Sequence, residues 1–146
     1  MIKKELLAKC DFELYQSCVE TGTSQFSLND FVRFQNLINI QVINNKSSLA
    51  VISLIKDELE IYFIGVKKDL RNRGLGRQFL CDIIKLAKDR GATSIILEVN
   101  EKNKIALNMY KSLNFEGCGK RKNYYYNANG RREDALIMRL KLNTVI

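Results

Sequence analysis

The sequence predicts a mixed α/β fold, a single domain over residues 1–146 in which helices flank a central mixed β-sheet. Three observations predict it. The chain has 146 residues with 46% hydrophobic content, which is enough for one core and too little for two ordinary domains. Its middle third contains three β-rich runs separated by short breaks, and its second half alternates strands with helices.

The first third of the chain predicts a strand followed by two helices. We expect a short strand at residues 3–8, and then a helix that Asp11 caps and that runs to about Glu20. A second, short helix begins near Asn29 or Asp30, because either side chain is a good N-cap.

The middle of the chain predicts an antiparallel meander. Its three β-rich runs are residues 38–43, 49–56 and 59–66. The breaks between them, Asn-Asn-Lys-Ser and Asp-Glu, are short and turn-like, so consecutive strands pair with each other.

After Arg71 the apolar period changes from two to that of a helix. Gly91 ends this helix as a C′ glycine, and the apolar stripe comprises Leu75, Phe79, Leu80, Ile83, Ile84, Leu86 and Ala87. A strand at 94–99 follows, so residues 59–66 and 94–99 form a βαβ unit and run parallel.

The last third predicts one helix and one hairpin. The helix spans about residues 103–113, with Asn103 as its N-cap. The hairpin pairs residues 115–126 with 134–142 across the turn Asn127-Ala128-Asn129-Gly130.

Composition excludes several kinds of catalytic site. The chain has no histidine, which excludes Ser-His and Cys-His nucleophile systems and histidine-based zinc sites, so any acid or base is Glu, Asp, Tyr, Lys or Cys. No metal is expected. The four cysteines form no CxxC pair and are expected as free, buried thiols.

Charge and hydropathy indicate the surroundings and the kind of partner. A net charge of +8 suggests an anionic partner, which could be nucleic acid, a membrane or a phosphorylated small molecule. No apolar run approaches the ~20 residues of a membrane helix, and the N-terminus lacks the features of a secretory signal. We therefore expect a cytoplasmic protein with no membrane partner.

The segment Arg71-Asn72-Arg73-Gly74-Leu75-Gly76-Arg77 has the features of a pyrophosphate-binding loop. It lies between a predicted strand and a long helix, where glycines allow close approach of a ligand and the helix start presents unpaired N–H groups. It is neither a Walker A loop, since no Gly-Lys-Ser/Thr follows, nor a dinucleotide fingerprint, since Phe79 replaces the third glycine. The alternative is that the glycines only shape a turn and the arginines are solvated.

With these residues in view, the chain resembles the GNAT superfamily of N-acetyltransferases, whose cofactor loop Arg/Gln-x-x-Gly-x-Gly/Ala is matched by Arg71, Gly74 and Gly76. Within it, the chain is similar to the RimI type of ribosomal-protein alanine N-acetyltransferases over about the last 85 residues. The residues of that match are Ile64-Gly65-Val66, Arg73-Gly74-Leu75-Gly76-Arg77, Leu97-Glu98-Val99, Asn103, Ala106, Tyr110, Ser112-Leu113, Phe115, Arg121-Lys122-Asn123-Tyr124-Tyr125, Arg132-Glu133-Asp134-Ala135 and Ile137-Met138.

The resemblance implies the GNAT acyl-CoA N-acyltransferase fold, acetyl-CoA as co-substrate, and a role for each matched residue. Glu98 matches the general base and Tyr110 the general acid. The cofactor residues are Ile64, Gly65 and Val66 for the pantetheine arm, Arg71, Asn72, Arg73, Gly74, Leu75, Gly76 and Arg77 for the pyrophosphate, and Asn103 as a further contact. The chain departs from the type at Tyr126, where the pattern has proline, and in Phe26-Ser27-Leu28, which match the substrate side only loosely.

The chemistry is consistent with these roles. An α-amino group with a reference pKa near 8 must lose a proton before it attacks a thioester, and a carboxylate among apolar neighbours has a raised pKa suited to accept it. A phenol with a pKa of about 10 can serve the departing thiolate. Without the resemblance, Glu98 could instead be an exposed strand-end carboxylate and Tyr110 an ordinary core tyrosine.

Three functions remain open. The first is acetylation of a protein N-terminus, in particular that of a ribosomal protein with a small first residue such as alanine. The second is acetylation of a small-molecule amine, and the third is a non-catalytic module that binds CoA. Cations and tyrosines at residues 120–126 could indicate RNA binding, but alternation in a hairpin would put Tyr124 and Tyr126 on one face and Tyr125 on the other, so direct nucleic-acid binding is not expected.

Overall fold

The computed structural model describes residues 2–19, 25–126 and 129–143 and shows a mixed sheet with helices on both faces. This confirms the predicted fold class. In chain order the described elements are α1 (Ile2–Cys18), α2 (Leu28–Phe34), β1 (Ile40–Asn44), β2 (Ser48–Ile55), β3 (Glu58–Val66), a 3₁₀ turn (Lys68–Leu70), α3 (Leu75–Asp89), β4 (Ser94–Asn100), α4 (Lys104–Ser112), β5 (Glu116–Tyr126) and β6 (Arg132–Lys141).

The six strands lie in the order β1-β2-β3-β4-β6-β5. The pairs β1–β2 and β2–β3 are antiparallel, which confirms the meander, and β3–β4 is parallel, which confirms the βαβ unit. The strand pairing of the final hairpin is confirmed as well, with β6 beside β4 and β5 at the sheet edge, whereas residues 127 and 128 of its predicted turn lie outside the described residues. None of the helices in the described ranges has the length and apolar character needed to cross a bilayer.

The parallel pair β3–β4 is short. Its register runs only from Glu58 opposite Ser94 to Ile61 opposite Leu97. Beyond that point β3 continues to Val66 with β2 as its partner, while β4 continues to Asn100 with β6 as its partner. The two strands therefore separate in the middle of the sheet, and we call the space between residues 62–66 and 98–100 the strand gap.

A β-bulge marks the start of the strand gap. Val51 pairs with Phe63 and Ile52 with Ile61, so Tyr62 is an extra residue on β3. A bulge reverses the side-chain alternation. Accordingly Ile61 lies in the core beneath α3, whereas Phe63 packs on the opposite face, against the cluster of α1 and α2.

Each face of the sheet has its own core. On one face, buried residues of β3 and β4 such as Leu59 and Ile95 pack against α3 and α4. The predicted stripe of α3 is confirmed there by Phe79, Leu80, Ile83 and Ala87, which are its buried residues. Gly91 follows the end of α3 with φ +80°, as expected of a C′ glycine.

The prediction for residues 3–8 was wrong, because these residues belong to α1 and not to a strand. Lys, Glu, Leu and Ala are strong helix formers, and Leu6 and Leu7, which gave this stretch its apolar character, are exposed. Asp11 is not an N-cap: it is buried in mid-helix, where its carboxylate accepts a hydrogen bond from Asn44 Nδ2 at 2.5 Å. Burial raises the pKa of Asp11, and this hydrogen bond partly offsets the rise. The predicted helix end at Glu20 lies outside the described residues.

The cap of α2 is Ser27, not Asn29 or Asp30. Its Oγ accepts the Asp30 N–H at 3.2 Å, and the Asp30 carboxylate accepts the Ser27 N–H at 2.8 Å. This capping box satisfies two N–H groups at once. Asp30 is therefore the reciprocal partner of the cap.

The cysteines are free, but three of the four are exposed. Cys10 lies on the outer side of α1, Cys81 on that of α3, and Cys118 on the edge strand β5. Only Cys18 matches the expected buried state, and burial raises the pKa of its thiol. The exposure of each cysteine therefore follows from its position on a helix face or a sheet edge and not from the chemistry of its thiol.

Candidate active site

The predicted phosphate loop lies between the end of β3 and the first turn of α3. Gly74 has φ +76°, a left-handed conformation, and is the N-cap of α3. A Cβ at Gly74 would contact nothing, so this glycine is required for its backbone conformation rather than for space. No side chain caps the helix at Gly74, which leaves the first-turn N–H groups of α3 for a ligand.

The three arginines of the loop have different surroundings. Arg71 donates to the Cys18 carbonyl at 2.6 Å and to the Val66 carbonyl at 3.4 Å, so it ties the loop to the ends of α1 and β3. Arg77 donates to Ser112 Oγ on α4. Arg73, beside Gly74, is exposed. The Arg73 guanidinium is therefore accessible to an anion.

Gly76 and Gly65 lie where four elements approach each other: α3, β3, α4 and α1. A Cβ on Gly76 would lie 3.5 Å from Val66 Cγ2 and 3.9 Å from Met109 Sδ, which is ordinary contact. A Cβ on Gly65 would lie 2.8 Å from the ring of Phe63 and 3.1 Å from Cys18 Cβ, which is too close. The backbone of β3 beside the strand gap therefore requires glycine at position 65, between Ile64 and Val66.

Asn103 is the N-cap of α4, as predicted. Its Oδ1 accepts the Ala106 N–H at 3.2 Å. We expect Asn103→Ala to lower the free energy of unfolding of the ligand-free protein by about 1 kcal/mol, because this N–H loses its partner. Urea denaturation measures the change. Asn108→Ala, at an exposed position within the same helix, is the matched control and should not destabilise the protein.

Glu98 lies on β4 immediately after the last residue paired with β3. Its carboxylate Oε1 is 2.9 Å from Arg121 Nε, and its side chain is 19% exposed. Burial raises the pKa of the Tyr124 hydroxyl, and the nearby charge of Glu98 adds to the rise. Glu98 therefore lies at the strand gap with a cation and a phenol as neighbours.

The apolar surroundings expected for Glu98 were wrong, and strand alternation explains the error. The neighbours Ile95, Leu97 and Val99 are buried in the core beneath α3 and α4. Glu98 is on the other face of β4. The core that α1 and α2 form on that side of the sheet contains no residue of β4. Adjacency in sequence therefore does not mean adjacency in space along a strand.

Tyr110 is buried on α4, with 6% of its surface exposed. Its ring packs on Phe115 at a centroid distance of 5.6 Å, so it is also part of the core. Burial raises the pKa of Tyr110 to about 12. The hydroxyl therefore stays protonated and able to donate a hydrogen bond.

Tyr124 and Tyr125 join this region. Their rings meet edge to face at a centroid distance of 5.0 Å, so the simple alternation expected for residues 124–126 is wrong. The cause is an irregularity in β5 between Arg121 and Tyr125, where Asn123 has φ +56°. Burial raises the pKa of Tyr125 above its usual range, and the charge of Glu98 adds to the rise.

Sequence reasoning missed the contact of Arg121 with Glu98. The register contains a signal for it, because Glu98 lies opposite Ile137 and Ile137 opposite Gly119, two residues before Arg121 on β5. Arg121 itself lies opposite Ala135 of β6, so its long side chain crosses β6 to reach Glu98 on β4. Finding the contact required knowing that β6 lies between β4 and β5.

Comparisons with known proteins show the family to which the sequence and the fold are similar. A model of the acetyltransferase (GNAT) family matches residues 14–115. The ribosomal protein bS18-alanine N-acetyltransferase of Salmonella typhimurium is 35% identical over 115 residues, or 79% of this chain and 76% of that protein. That of Escherichia coli K12 is 34% identical over 111 residues, or 75% of this chain and 74% of that protein. The crystal structure of the ribosomal-protein-S18-alanine N-acetyltransferase from Escherichia coli superposes with a TM-score of 0.82 at 28% identity, covering 95% of this chain and 90% of that one.

Proposed function

The chain belongs to the acetyltransferase (GNAT) family of acetyl-CoA-dependent enzymes, and we propose that it acetylates the N-terminal α-amino group of a protein, with alanine-initiated ribosomal protein bS18 as the first candidate. The observation that carries the proposal is the position of Glu98 at the strand gap, with the uncapped start of α3 after the opposite strand. The curated relatives, named for bS18-alanine acetylation, support the choice of acceptor.

The residues present fit acetyl-CoA, which supplies the activated acetyl group. The first-turn N–H groups of α3 and the exposed Arg73 suit its pyrophosphate, because a helix start carries partial positive charge. The edge of β3 at residues 64–66, which has no β4 partner, suits the amides of the pantetheine arm. We assign Asn72, Leu75 and Arg77 to the rest of the loop and Asn103 to a further contact at the start of α4.

The reaction joins an amine nitrogen to a carbonyl carbon and breaks a C–S bond. The uncharged nitrogen attacks the thioester carbon, and the proton that it loses passes to the Glu98 carboxylate. Backbone N–H groups at residues 64–66 stabilise the negative oxygen that forms. The products are an amide and the CoA thiolate.

Tyr110 assists the departing thiolate as a hydrogen-bond donor. Its pKa of about 12 exceeds the reference value of a thiol, ~8.5, so complete proton transfer is uphill by roughly 5 kcal/mol. The phenol therefore keeps its proton at equilibrium. Donation to sulfur still stabilises the charge that develops as the C–S bond breaks.

Tyr110→Phe should lower kcat by about 100-fold, because the ring is retained and only the hydroxyl is lost. Affinity for acetyl-CoA, measured by calorimetry, should change little. Tyr15→Phe controls for the loss of a buried tyrosine hydroxyl: it removes the acceptor of the Gln25 and Phe26 N–H groups, at 2.8 and 3.2 Å, so it should lower stability while kcat stays close to the wild-type value. Normal turnover of Tyr110→Phe would return this residue to a purely structural role.

Mass spectrometry of a peptide panel tests the proposed function. Peptides that vary at the first residue, together with polyamines, are incubated with acetyl-CoA and the enzyme. Acetylation confined to the α-amino group of alanine-, serine- or threonine-initiated peptides is the expected result. Acetylated polyamines alone would move the assignment to small-molecule amines, and acetyl-CoA binding without any product would favour a non-catalytic module.

A ribosomal-protein acceptor also accounts for the expected location. Ribosomal proteins are synthesised in the bacterial cytoplasm, and the proposal places the enzyme there. Under this proposal acetyl-CoA and the peptide N-terminus are the partners, and the excess positive charge serves the phosphates of the co-substrate.

A further inference from the structure

Arg121 already pairs with the Glu98 carboxylate, the group to which the proposed function assigns the proton of the acceptor amine. Its Nε lies 2.9 Å from Glu98 Oε1, and its guanidinium lies over the Tyr124 ring at 5.4 Å from the centroid. The charge of Glu98 also acts on the Tyr124 hydroxyl and raises its pKa, after the larger effect of burial. Arg121 therefore contacts both Glu98 and Tyr124, and the charge of Glu98 is already matched by a cation of the protein.

We propose that Arg121 determines acceptor specificity: by neutralising Glu98 it restricts the site to amines that enter uncharged, and so selects N-terminal α-amines over lysine side chains and polyamines. The inference rests on the proposed function and adds the basis of its selectivity. It assigns Arg121 no part in the chemical step.

The electrostatic argument follows from the distances. An ammonium beside Glu98 is attracted by the carboxylate and repelled by a guanidinium in contact with that carboxylate. At similar separations in the same medium the two energies are similar in size and opposite in sign. The site therefore gains little by holding the protonated form of an acceptor, whereas an uncharged amine is not repelled.

Amines differ strongly in how often they are uncharged. With reference pKa values of about 8 and about 10.4, α-amines are about 10% neutral at pH 7 and lysine side chains about 0.04%. A site that accepts only the neutral form therefore prefers the α-amine by about 250-fold before any shape selection. This preference needs no contact with the rest of the acceptor.

Other charged and titratable groups border the Glu98–Arg121 pair. Glu60 of β3 acts on the Tyr124 hydroxyl, as do Glu98 and Arg121. On β6, Glu133 accepts a hydrogen bond from Asn100, and Arg139 pairs with Glu58 at 3.4 Å. These groups stay unchanged in the test variant, so the loss of one cation beside Glu98 is the variable. The groups that act on the Tyr124 and Tyr125 hydroxyls are Glu60, Glu98, Tyr110 and Arg121, and Glu133 and Arg139 lie on the neighbouring strand β6.

Arg121→Met removes the cation and keeps a long stem. The experiment measures kcat/KM at pH 7 for an alanine-initiated peptide without lysine, for a lysine peptide with a blocked N-terminus, and for spermidine. In the wild type we expect a strong preference for the α-amine, and in Arg121→Met a ratio of α-amine to ε-amine that is at least about tenfold smaller, because an ammonium can then pair with Glu98. Arg121→Lys should restore the preference.

Lys120→Met is the matched control. Lys120 is the preceding residue and lies beside Glu101 and Asp134, at 3.2 and 3.4 Å, rather than beside Glu98. Its loss removes the same charge from the same strand, so it should leave the ratio unchanged. An equal fall in both variants would show that only the net charge of β5 matters, and would overturn the proposal.

The pH profile tests the wild-type enzyme directly, whether or not the variants fold. Below the pKa of the acceptor, kcat/KM should rise about tenfold per pH unit for a neutral-amine site, and by less in Arg121→Met. A wild-type profile that does not follow the neutral fraction of the acceptor would overturn the inference. A raised KM for the alanine peptide in Arg121→Met with an unchanged ratio would do so too, since Arg121 would then hold the peptide.

Failure of this inference is distinguishable from failure of the proposed function. If the wild type acetylates no peptide, the proposed acceptor is wrong. If it acetylates alanine peptides but the selectivity and the pH profile do not depend on Arg121, the acceptor stands and only the inference fails.

Discussion

Gly76→Glu is expected to abolish acetyl-CoA binding. Gly76 is in the first turn of α3, next to the uncapped N–H groups that we assign to the pyrophosphate. A carboxylate there brings like charges together, which costs several kcal/mol. Affinity for acetyl-CoA should fall by at least about 100-fold in a calorimetric titration.

Two further variants at position 76 separate charge from space. Gly76→Ala should bind normally, because its Cβ makes only ordinary contacts with Val66 and Met109. Gly76→Gln has the size of glutamate without its charge, so its affinity should fall between those of alanine and glutamate. Tight binding of acetyl-CoA by Gly76→Glu, in a protein whose circular dichroism is unchanged, would refute the assignment of the loop.

Glu98→Gln is expected to lower kcat by about 100-fold or more, because the amide cannot accept the proton that the amine loses. Affinity for acetyl-CoA should change little, since Glu98 lies on β4 and not in the phosphate loop. Single-turnover kinetics with an alanine-initiated peptide separates the chemical step from product release.

A matched control for Glu98→Gln is Glu133→Gln. Glu133 is on β6, where it accepts a hydrogen bond from Asn100 at 3.2 Å. The Glu133→Gln substitution removes one negative charge from the same region and leaves the proposed base unchanged, so kcat should stay close to the wild-type value. Full activity in Glu98→Gln would remove that residue from the mechanism and leave water or the peptide itself as proton acceptor.

Much of the fold was predictable because its signals are local. The stripe of α3, the N-cap Asn103 and the C′ glycine Gly91 each follow from residues within one or two turns of a helix. The β3–β4 pair followed from the length of the crossover between them. Residues 3–8 were predicted wrongly because a short apolar stretch does not distinguish a strand from a helix, and only its continuity with residues 11–18 decides between them.

The positions of site residues were predictable where a local sequence motif marks them and not where the site depends on contacts between distant strands. The loop at residues 71–77 could be recognised from its glycines and its position before a helix. The Glu98–Arg121 pair joins two strands that are separated in the sheet by β6, and no local pattern contains that order. The setting of Glu98 was therefore predicted as apolar, although it is an ion pair.

The strand gap also bears on how the protein behaves when it is concentrated. Residues 62–66 are a sheet edge without a β4 partner inside the molecule, and exposed strand edges favour pairing with other chains and aggregation. A ligand that occupies such an edge protects it, and at 100 times its dissociation constant it stabilises the folded state by about 2.7 kcal/mol. Because the proposed assignment places acetyl-CoA at this edge, we expect the solubility and heat resistance of the protein to rise with acetyl-CoA in the buffer, and purification with it present to yield the more monodisperse sample.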